Sequence, residues 1–249
     1  MPRRSWSRYS IMADNQMSAA QVVSTLESYH SPDVRKKYER HFPVHQRGED
    51  QFIGVRMGQV FALAKTYTDM PLEEIERLLE NRFHEVRVAA VSIMDFQARR
   101  KKSSEERRQA LFDLYIRRHD RINCWDLVDR SAPHVVGGYL MDKARDPLFQ
   151  LASSSHVWER RTAIVSTLFF ISRGDKGDTF RIAELLLHDT EEYVQKAVGW
   201  ALRSVGGCEL IHFLDQHADS MPRVVLRNAI EKLDTAVCND YLGRTISIL

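Results

Sequence analysis

The chain has 249 residues, of which 43% are hydrophobic and 28% charged, and its formal net charge at neutral pH is +2. This composition is ordinary for a globular protein with a sizeable core, in one large domain or two small ones. No apolar run approaches the ~20 residues of a membrane-spanning helix. Eleven glycines and seven prolines are few for this length and favour long regular elements with short connections.

The first residues do not resemble a targeting signal. Met1 to Asn15 contains three arginines but no apolar core, which excludes a secretory signal peptide. We expect a disordered leader over 1–17 and a single domain over 18–249. The start codon could be that of Met1, Met12 or Met17.

Cysteine usage indicates the compartment. Cys124, Cys208 and Cys238 lie far apart and form no CxxC pair. This pattern fits a protein of the reducing cytoplasm and gives no structural zinc site.

Helical periodicity runs through almost the whole chain. Ser18 is placed to cap a helix that extends to about Tyr29, and Ser104 precedes another. Pro71 stands at the first position of a helix over 71–80 with an acidic first turn. A break over 172–178 separates two further helices, and Gly206-Gly207 ends a later one. Since no alternating run bounded by turn residues is present, we predict an all-α fold without a sheet.

A small residue recurs in these helices at intervals typical of helical-repeat proteins. Alanine stands at positions 89, 132, 163, 197 and 229, which are 43, 31, 34 and 32 residues apart. A small side chain lets neighbouring helices approach closely, and this period is the signature of a solenoid of helix pairs. We therefore predict an α–α superhelix.

Positive charge accompanies the repeat. Four of the five alanines have an arginine two positions earlier, namely Arg87, Arg130, Arg161 and Arg227, and we expect these arginines to lie along one side of the stack. The segment 82–121 carries eleven Lys or Arg against six acids. A nucleic-acid backbone is the natural partner of such a surface, with Arg87, Arg130 and Arg227 as candidate phosphate contacts. An acidic protein partner and an ordinary solvated helix face are the alternatives.

Several kinds of catalytic site lack their parts. The ten histidines are scattered without an HExxH motif, and Pro43 between His41 and His45 argues against a shared helix face. No glycine-rich phosphate loop and no nucleophile elbow are present. We therefore do not expect a metalloprotease, a kinase, a dehydrogenase or a serine hydrolase. We also expect no metal and no cofactor.

Aromatic residues beside a carboxylate and an arginine remain. Trp125 and Asp129 are four residues apart and so share a helix face. Trp158 and Arg161 lie on the next unit, and Tyr193 and Trp200, seven apart, lie on the one after it. Three consecutive units can place these groups around one cleft. Each tryptophan could instead be a core anchor, and Asp129 could cap a helix.

Three stretches resemble the signature stretches of the bacterial DNA alkylation repair glycosylases of the AlkD type, which are HEAT-like-repeat proteins. They read Trp125-Asp-Leu-Val-Asp129, Trp158-Glu-Arg-Arg161-Thr-Ala-Ile-Val165 and Val194-Gln-Lys-Ala-Val-Gly-Trp200-Ala-Leu-Arg203. Their order and approximate spacing agree with the family, and the match extends from about Ser18 to Leu233. The resemblance implies a superhelix of HEAT-like repeats and an enzyme that removes alkylated purines from double-stranded DNA.

The resemblance also implies roles for single residues. Asp129 corresponds to the catalytic carboxylate of the family, and Trp125 and Trp200 correspond to its aromatic cleft. Arg161 corresponds to the arginine that contacts DNA at the lesion. Tyr193 occupies a position that is aromatic in the family, and we count Trp158 with the cleft.

The implied chemistry agrees with this inventory of residues. Purines alkylated at N3 or N7 are cationic leaving groups, and their departure leaves an oxocarbenium-like sugar that an anion such as Asp129 can stabilise. No lysine in the signature stretches offers a Schiff-base nucleophile, so we expect a monofunctional glycosylase. A groove that clasps a duplex fits a monomer.

One stretch departs from the family pattern. In Phe52-Ile-Gly-Val-Arg56-Met-Gly-Gln, Gly58 replaces a proline that is frequent in the family, and Arg56 stands at the place of a DNA-contacting polar residue. The preferred lesion, the tolerance of bulky adducts and base flipping therefore stay open. The alternative function is a non-catalytic helical-repeat module that binds DNA or an acidic protein.

Overall fold

The computed structural model describes residues 17–42 and 50–244, so the expected leader lies almost entirely outside the described residues. These residues form helices α1 Ala19–Ser28, α2 Pro32–His41, α3 Met57–Thr66, α4 Leu72–Leu79, α5 His84–Arg99, α6 Glu105–Arg117, α7 Trp125–Ala132, α8 Asp146–Ala152, α9 Val157–Ile171, α10 Gly177–Leu186, α11 Glu192–Val205, α12 Gly207–His217, α13 Arg223–Ile230 and α14 Thr235–Gly243. Helix α7 continues through a wide π turn, Pro133–Gly137, to Gly138–Leu140.

Local sequence signals account for most helix ends. Ser18 forms a capping box with Gln21 at the start of α1, and the Ser104 hydroxyl accepts a hydrogen bond from the Arg107 amide at the start of α6. Gly206, at φ 60°, follows the last residue of α11 as predicted. Pro71 precedes α4 instead of beginning it. These ends are set by side chains next to them in sequence, which explains why the sequence predicts them closely.

The helices stack as pairs. Helices α5, α7, α9, α11 and α13 pack on one another in chain order and form an inner layer, while α4, α6, α8 and α10 pack against that layer from outside. The described residues contain no sheet, and one isolated bridge joins Gln51 to Phe83. The predicted all-α superhelix is confirmed. Within the described ranges, no helix combines the length and the apolar character needed to cross a membrane.

Small residues let the inner helices approach closely. The five repeated alanines lie on successive inner helices and are at most 1% exposed. A Cβ added to Gly137 would lie 2.2 Å from the Ser166 carbonyl oxygen, and one added to Gly199 would lie 2.6 Å from the Val225 oxygen. Substitution there would push α7 from α9 and α11 from α13. The repeated small residues thus hold the inner layer together.

The repeated arginines do not form the exposed row that we expected. Arg87 is 2% exposed and ion-pairs with Asp50, which removes it from the candidate phosphate contacts. Arg130 on α7 pairs with Asp95 on α5 at 2.8 Å. Arg161 is likewise buried. Arg87, Arg130 and Arg161 therefore cross-link neighbouring elements by pairing with carboxylates, and Arg227 differs from them because it is exposed on α13.

Much of the basic segment 82–121 is neutralised locally. Arg117 and Arg118 pair with Glu76 on α4, and Arg118 and Arg121 pair with Glu80, which directly follows α4. These contacts join outer helices to each other. Fewer unpaired positive charges of this segment are therefore available to a polyanion than its net charge suggests.

Candidate active site

A cleft of about 450 Å³ opens beside the start of α7. Its polar lining consists of His41, Asp126, Asp129 and Arg130. Its other walls are apolar or aromatic and come from α2 to α7, namely Tyr38, Phe42, Met57, Phe61, Val88 and Trp125. A pocket of this size with few polar groups among apolar walls is typical of a small-molecule binding site.

Trp125 forms the aromatic wall next to Asp129. Its ring is stacked with that of Phe42, with centroids 6.2 Å apart and planes inclined by 19°. The His41 ring meets it edge-on at 6.4 Å. Trp125 and Asp129 therefore share the cleft as well as a helix face, and α2 fixes the orientation of the indole.

Asp129 is held by a two-point contact with Arg161. The Arg161 Nε donates to Oδ1 of Asp129 at 3.0 Å, and its Nη2 donates to Oδ2 at 2.8 Å. The arginine side chain is 7% exposed, whereas the carboxylate keeps 21% of its surface open to the cleft. The parallel contact fixes the plane of the carboxylate.

The environment of Asp129 has opposing effects on its ionisation. Burial raises the pKa of this carboxyl above its ordinary value, and the hydrogen bonds and charge of Arg161 offset part of that rise. Asp126 raises it further by like-charge repulsion. Arg161 thus favours the ionised form of Asp129 in a place where burial and Asp126 disfavour it.

Arg161 connects Asp129 to the next unit of the stack. Its Nη1 donates to the backbone oxygen of Tyr193, whose ring packs against Trp158 with centroids 5.1 Å apart. Trp158 and Tyr193 are half-buried. The predicted residues Asp129, Arg161, Tyr193 and Trp158 are therefore in one continuous set of contacts.

Trp200 stands apart from that set. It is half-buried on α11 beside Gly199, and it is not among the side chains that line the Trp125 cleft. Its backbone oxygen accepts a hydrogen bond from Ser204. The two tryptophans predicted to share a cleft therefore lie on different helices without lining one cavity.

The segment before α3 is pinned beneath the cleft. The Glu85 carboxylate, which is fully buried, accepts hydrogen bonds from the amides of Ile53, Gly54 and Val55 at 2.7 to 3.2 Å. Exposed Arg56 follows this anchored segment, and the next residue, Met57, lines the cleft. Gly58 is exposed, and a Cβ there would meet nothing within 4 Å, so no neighbouring side chain fills the space of the missing proline ring.

A buried ion-pair network supports the start of α7. His84 on α5 is 1% exposed, and its Nε2 lies 2.7 Å from Oδ2 of Asp126 while Nδ1 lies 3.5 Å from Oδ2 of Asp50. Burial alone would lower the pKa of His84, but Asp126 and Asp50 raise it to about 9. His84 is therefore a cation that ties α7 to α5 next to Trp125.

The same network contains three atoms of metal-binding type. Donor atoms of His84, Cys124 and Asp126 lie within 4.8 Å of one another. However, the His84 proton is already shared with Asp126, and burial strongly raises the pKa of the Cys124 thiol. Ion pairing accounts for this arrangement, because a metal would need a neutral imidazole and a thiolate.

Sequence reasoning missed most of the cleft wall. Tyr38, Phe42, Met57, Phe61 and Val88 carry no motif, and they reach Trp125 only through packing of α2, α3 and α5 on α7. His84 and Asp126 were missed as well, although Asp126 stands inside the Trp125–Asp129 stretch. A histidine at the start of a buried helix was the one available signal.

The chain resembles known proteins in its sequence profile and in its fold. The sequence profile described as "DNA alkylation repair enzyme" matches residues 22–233. A solved structure described as a predicted DNA alkylation repair enzyme from Enterococcus faecalis superposes with a TM-score of 0.64 at 18% identity, covering 83% of this chain and 97% of that one. No curated protein matches the chain significantly.

Proposed function

This chain belongs to the DNA alkylation repair enzyme family, and on that premise we propose that it is a monofunctional glycosylase that excises cationic alkylpurines from duplex DNA. The substrates are of the N3-methyladenine and N7-methylguanine class. The protein acts as a monomer in the cytoplasm, where it works on DNA. Family membership supports a role in DNA repair, and the following contacts support the particular reaction.

The observation that carries the proposal is the carboxylate of Asp129, oriented by Arg161 at the edge of an aromatic cleft. Loss of a cationic base needs no metal and little acid assistance, but it leaves positive charge on the sugar. A fixed anion beside that charge stabilises the transition state, because it needs no reorganisation when the bond breaks. Asp129 has the charge and the partial exposure for this role, and it can also orient the attacking water.

The surrounding residues have complementary roles. Trp125 offers its ring to the cationic nucleotide, an attraction worth ~0.5–2 kcal/mol. Arg161 orients Asp129 and favours its ionised form. Because the Arg161 guanidinium is bonded to Asp129 and to the Tyr193 backbone oxygen, a contact with the phosphate next to the lesion requires one of these bonds to open. Trp158, Tyr193 and Trp200 supply aromatic surface on the following units.

Arginines outside the cleft contact the flanking backbone in this proposal. Arg56 and Arg227 are exposed and can approach phosphates directly. Arg130 is less available, because its guanidinium lies over Phe61 and Phe96 at 5.1 and 4.8 Å and pairs with Asp95.

A specific observation favours the second candidate, a non-catalytic module that binds DNA. The Asp129–Arg161 pair repeats the pattern of Asp95–Arg130 on the preceding helices, where the carboxylate is fully buried. In that case Asp129, like Asp95, forms an ion pair that only stabilises the packing of neighbouring inner helices. The 21% exposure of Asp129, against none for Asp95, is the difference that favours catalysis.

Base release from methylated duplex DNA tests the proposal. Wild-type protein should release N3-methyladenine or N7-methylguanine, and Asp129→Asn should reduce the rate about 10²- to 10³-fold, or ~2.7–4 kcal/mol, because it removes the anion. Asp69→Asn is the matched control, since that carboxylate is 68% exposed on an outer connection. It should keep the wild-type rate.

Two outcomes would refute catalysis by Asp129. The first is equal release by wild type and Asp129→Asn, and the second is release by neither. If neither releases a base while Asp129→Asn binds duplex DNA as tightly as wild type or more tightly, the non-catalytic module is the correct function.

A further inference from the structure

A second pocket, the basic pocket, lies where α5, α7 and α9 end, and its volume is about 340 Å³. Its lining contains no acidic side chain and five basic ones, Arg99, Lys101, Arg108, His134 and Arg173. Arg99, Lys101, His134 and Arg173 come from the ends of three successive inner helices and the turns that follow them, and Arg108 comes from the outer helix α6. The concentration of positive charge there is not apparent from any single stretch of sequence.

The basic pocket and the Trp125 cleft lie on the same face of the inner layer. Arg130, which lines the cleft, and His134, which lines the basic pocket, both approach the Asp95 carboxylate, at 2.8 and 3.0 Å, so the two side chains face the same way. On α5, Val88 lines the cleft and Arg99, eleven residues or three turns later, lines the pocket. Residues at this interval share a helix face, so one surface runs from cleft to pocket.

Internal contacts use some of this charge and leave the rest available. Arg99 pairs with buried Asp95 at 2.9 Å. The Arg108 guanidinium donates to the backbone oxygens of Ala98 and Arg100 at the end of α5. Lys101 and Arg173 are exposed, and the described residues provide neither with a side-chain ion pair. The Arg173 guanidinium lies 5.2 Å from the centre of the Phe169 ring, which holds it at the pocket.

The separation of the two sites matches a duplex. Nine residues separate Asp129 from Gly138, which corresponds to about 13 Å along a helix. The backbones of B-DNA are separated by ~12 Å across the major groove, and the duplex carries one charge per ~1.7 Å of its axis. A duplex that passes Asp129 therefore places phosphates within reach of the basic pocket.

We propose that the basic pocket binds the phosphodiester backbone of duplex DNA, with Lys101 and Arg173 as the phosphate contacts. Arg99 and Arg108 contribute positive potential behind them. The proposal rests on DNA as the ligand in the proposed function, but it does not depend on base release. In this proposal the basic pocket binds the DNA backbone, and base release takes place at the Trp125 cleft.

The salt dependence of DNA binding tests this assignment. Each phosphate contact contributes about −0.9 to the slope of log K against log salt concentration, so Lys101→Gln combined with Arg173→Gln should make the slope less steep by about 2. The ligand is an undamaged, fluorescently labelled duplex of about 20 base pairs, or two helical turns. The matched control combines Arg77→Gln with Arg181→Gln, whose side chains are 70% and 67% exposed on outer helices.

The outcomes separate this proposal from the proposed function. A reduced slope in the pocket variant, with the control at the wild-type slope, supports the basic pocket even if no base is ever released. Equal slopes in wild type and pocket variant overturn it, as does an equal change in the control. If the pocket variant loses binding to polyglutamate but keeps the DNA slope, the pocket belongs to an acidic protein partner, which also overturns it.

Discussion

The Trp125 cleft and the basic pocket both use α5 and α7, the cleft nearer their starts and the pocket at and beyond their ends, yet their chemistry is opposite. The cleft has apolar walls, and its acidic groups are buried or held by a cation. The pocket has basic walls and no lining acid. The difference shows how a helical stack can separate two tasks, because the starts of its helices and their ends hold unrelated sets of side chains at a fixed spacing.

Different contacts stabilise the Trp125 cleft and the basic pocket, and replacing one histidine at each site should reveal this difference. His84→Gln should destabilise the protein by about 3 kcal/mol at pH 6, since raising a pKa from about 6.5 to about 9 corresponds to that amount at 1.36 kcal/mol per unit. His84 is protonated more readily in the folded state. Its contribution is therefore complete below pH 6.5 and disappears as the pH rises through about 9.

Urea unfolding of wild type and His84→Gln between pH 6 and pH 10 measures this contribution. The control is His134→Gln at the basic pocket, whose side chain is 31% exposed and faces Asp95 at 3.0 Å. The effect of His134→Gln should be smaller than that of His84→Gln, because Asp95 keeps its ion pairs with Arg99 and Arg130. A difference between wild type and His84→Gln that does not shrink towards pH 10 would contradict a charged imidazole.

Removing the indole of Trp125 should lower the rate of base release and leave the electrostatic part of DNA binding unchanged. Trp125→Ala loses the ring that faces the cationic base, and ~0.5–2 kcal/mol corresponds to a roughly 2- to 30-fold lower rate. The slope of DNA binding against salt should not change, because no phosphate contact is lost. Phe180→Ala, which removes a ring stacked on Phe213 at 5.4 Å on later helices outside the cleft, is the control for general loss of aromatic packing.

A changed salt slope in Trp125→Ala would contradict the division of tasks between cleft and pocket. An unchanged release rate would place the lesion elsewhere on the surface. Thermal unfolding of both variants identifies any loss of rate that comes from instability.

The smallest expected effect concerns the acid side of the rate profile. Because burial raises the pKa of Asp129, base release should decline at a higher pH than an ordinary aspartate would give, which is about 3.9. Arg161→Gln should move that decline to still higher pH, since the cation that favours ionisation is removed. Release is measured against DNA without enzyme at each pH, and a decline at the same pH in both proteins would show that Arg161 does not tune Asp129.

Local features of the fold follow from the sequence because their causes are local. Ser18 and Ser104 cap helices through amides three residues away, and the repeated alanines mark the buried seams of the stack. Arg87 shows the limit of such reasoning. It has the same spacing as Arg227, but Asp50 and Asn123 receive it in the interior, so only three-dimensional packing distinguishes a buried cross-link from an exposed cation.

The sequence by itself determined the all-α stack of helix pairs, the shared face of Trp125 and Asp129, and the family, because helical period and short motifs are properties of neighbouring residues. Only the tertiary structure decided which arginine meets Asp129, which aromatic rings complete the cleft, and that Trp200 lies outside it. It also decided that Lys101 and Arg173, 72 positions apart in the sequence, share one basic pocket. These are contacts between distant segments, and they depend on how the helices pack.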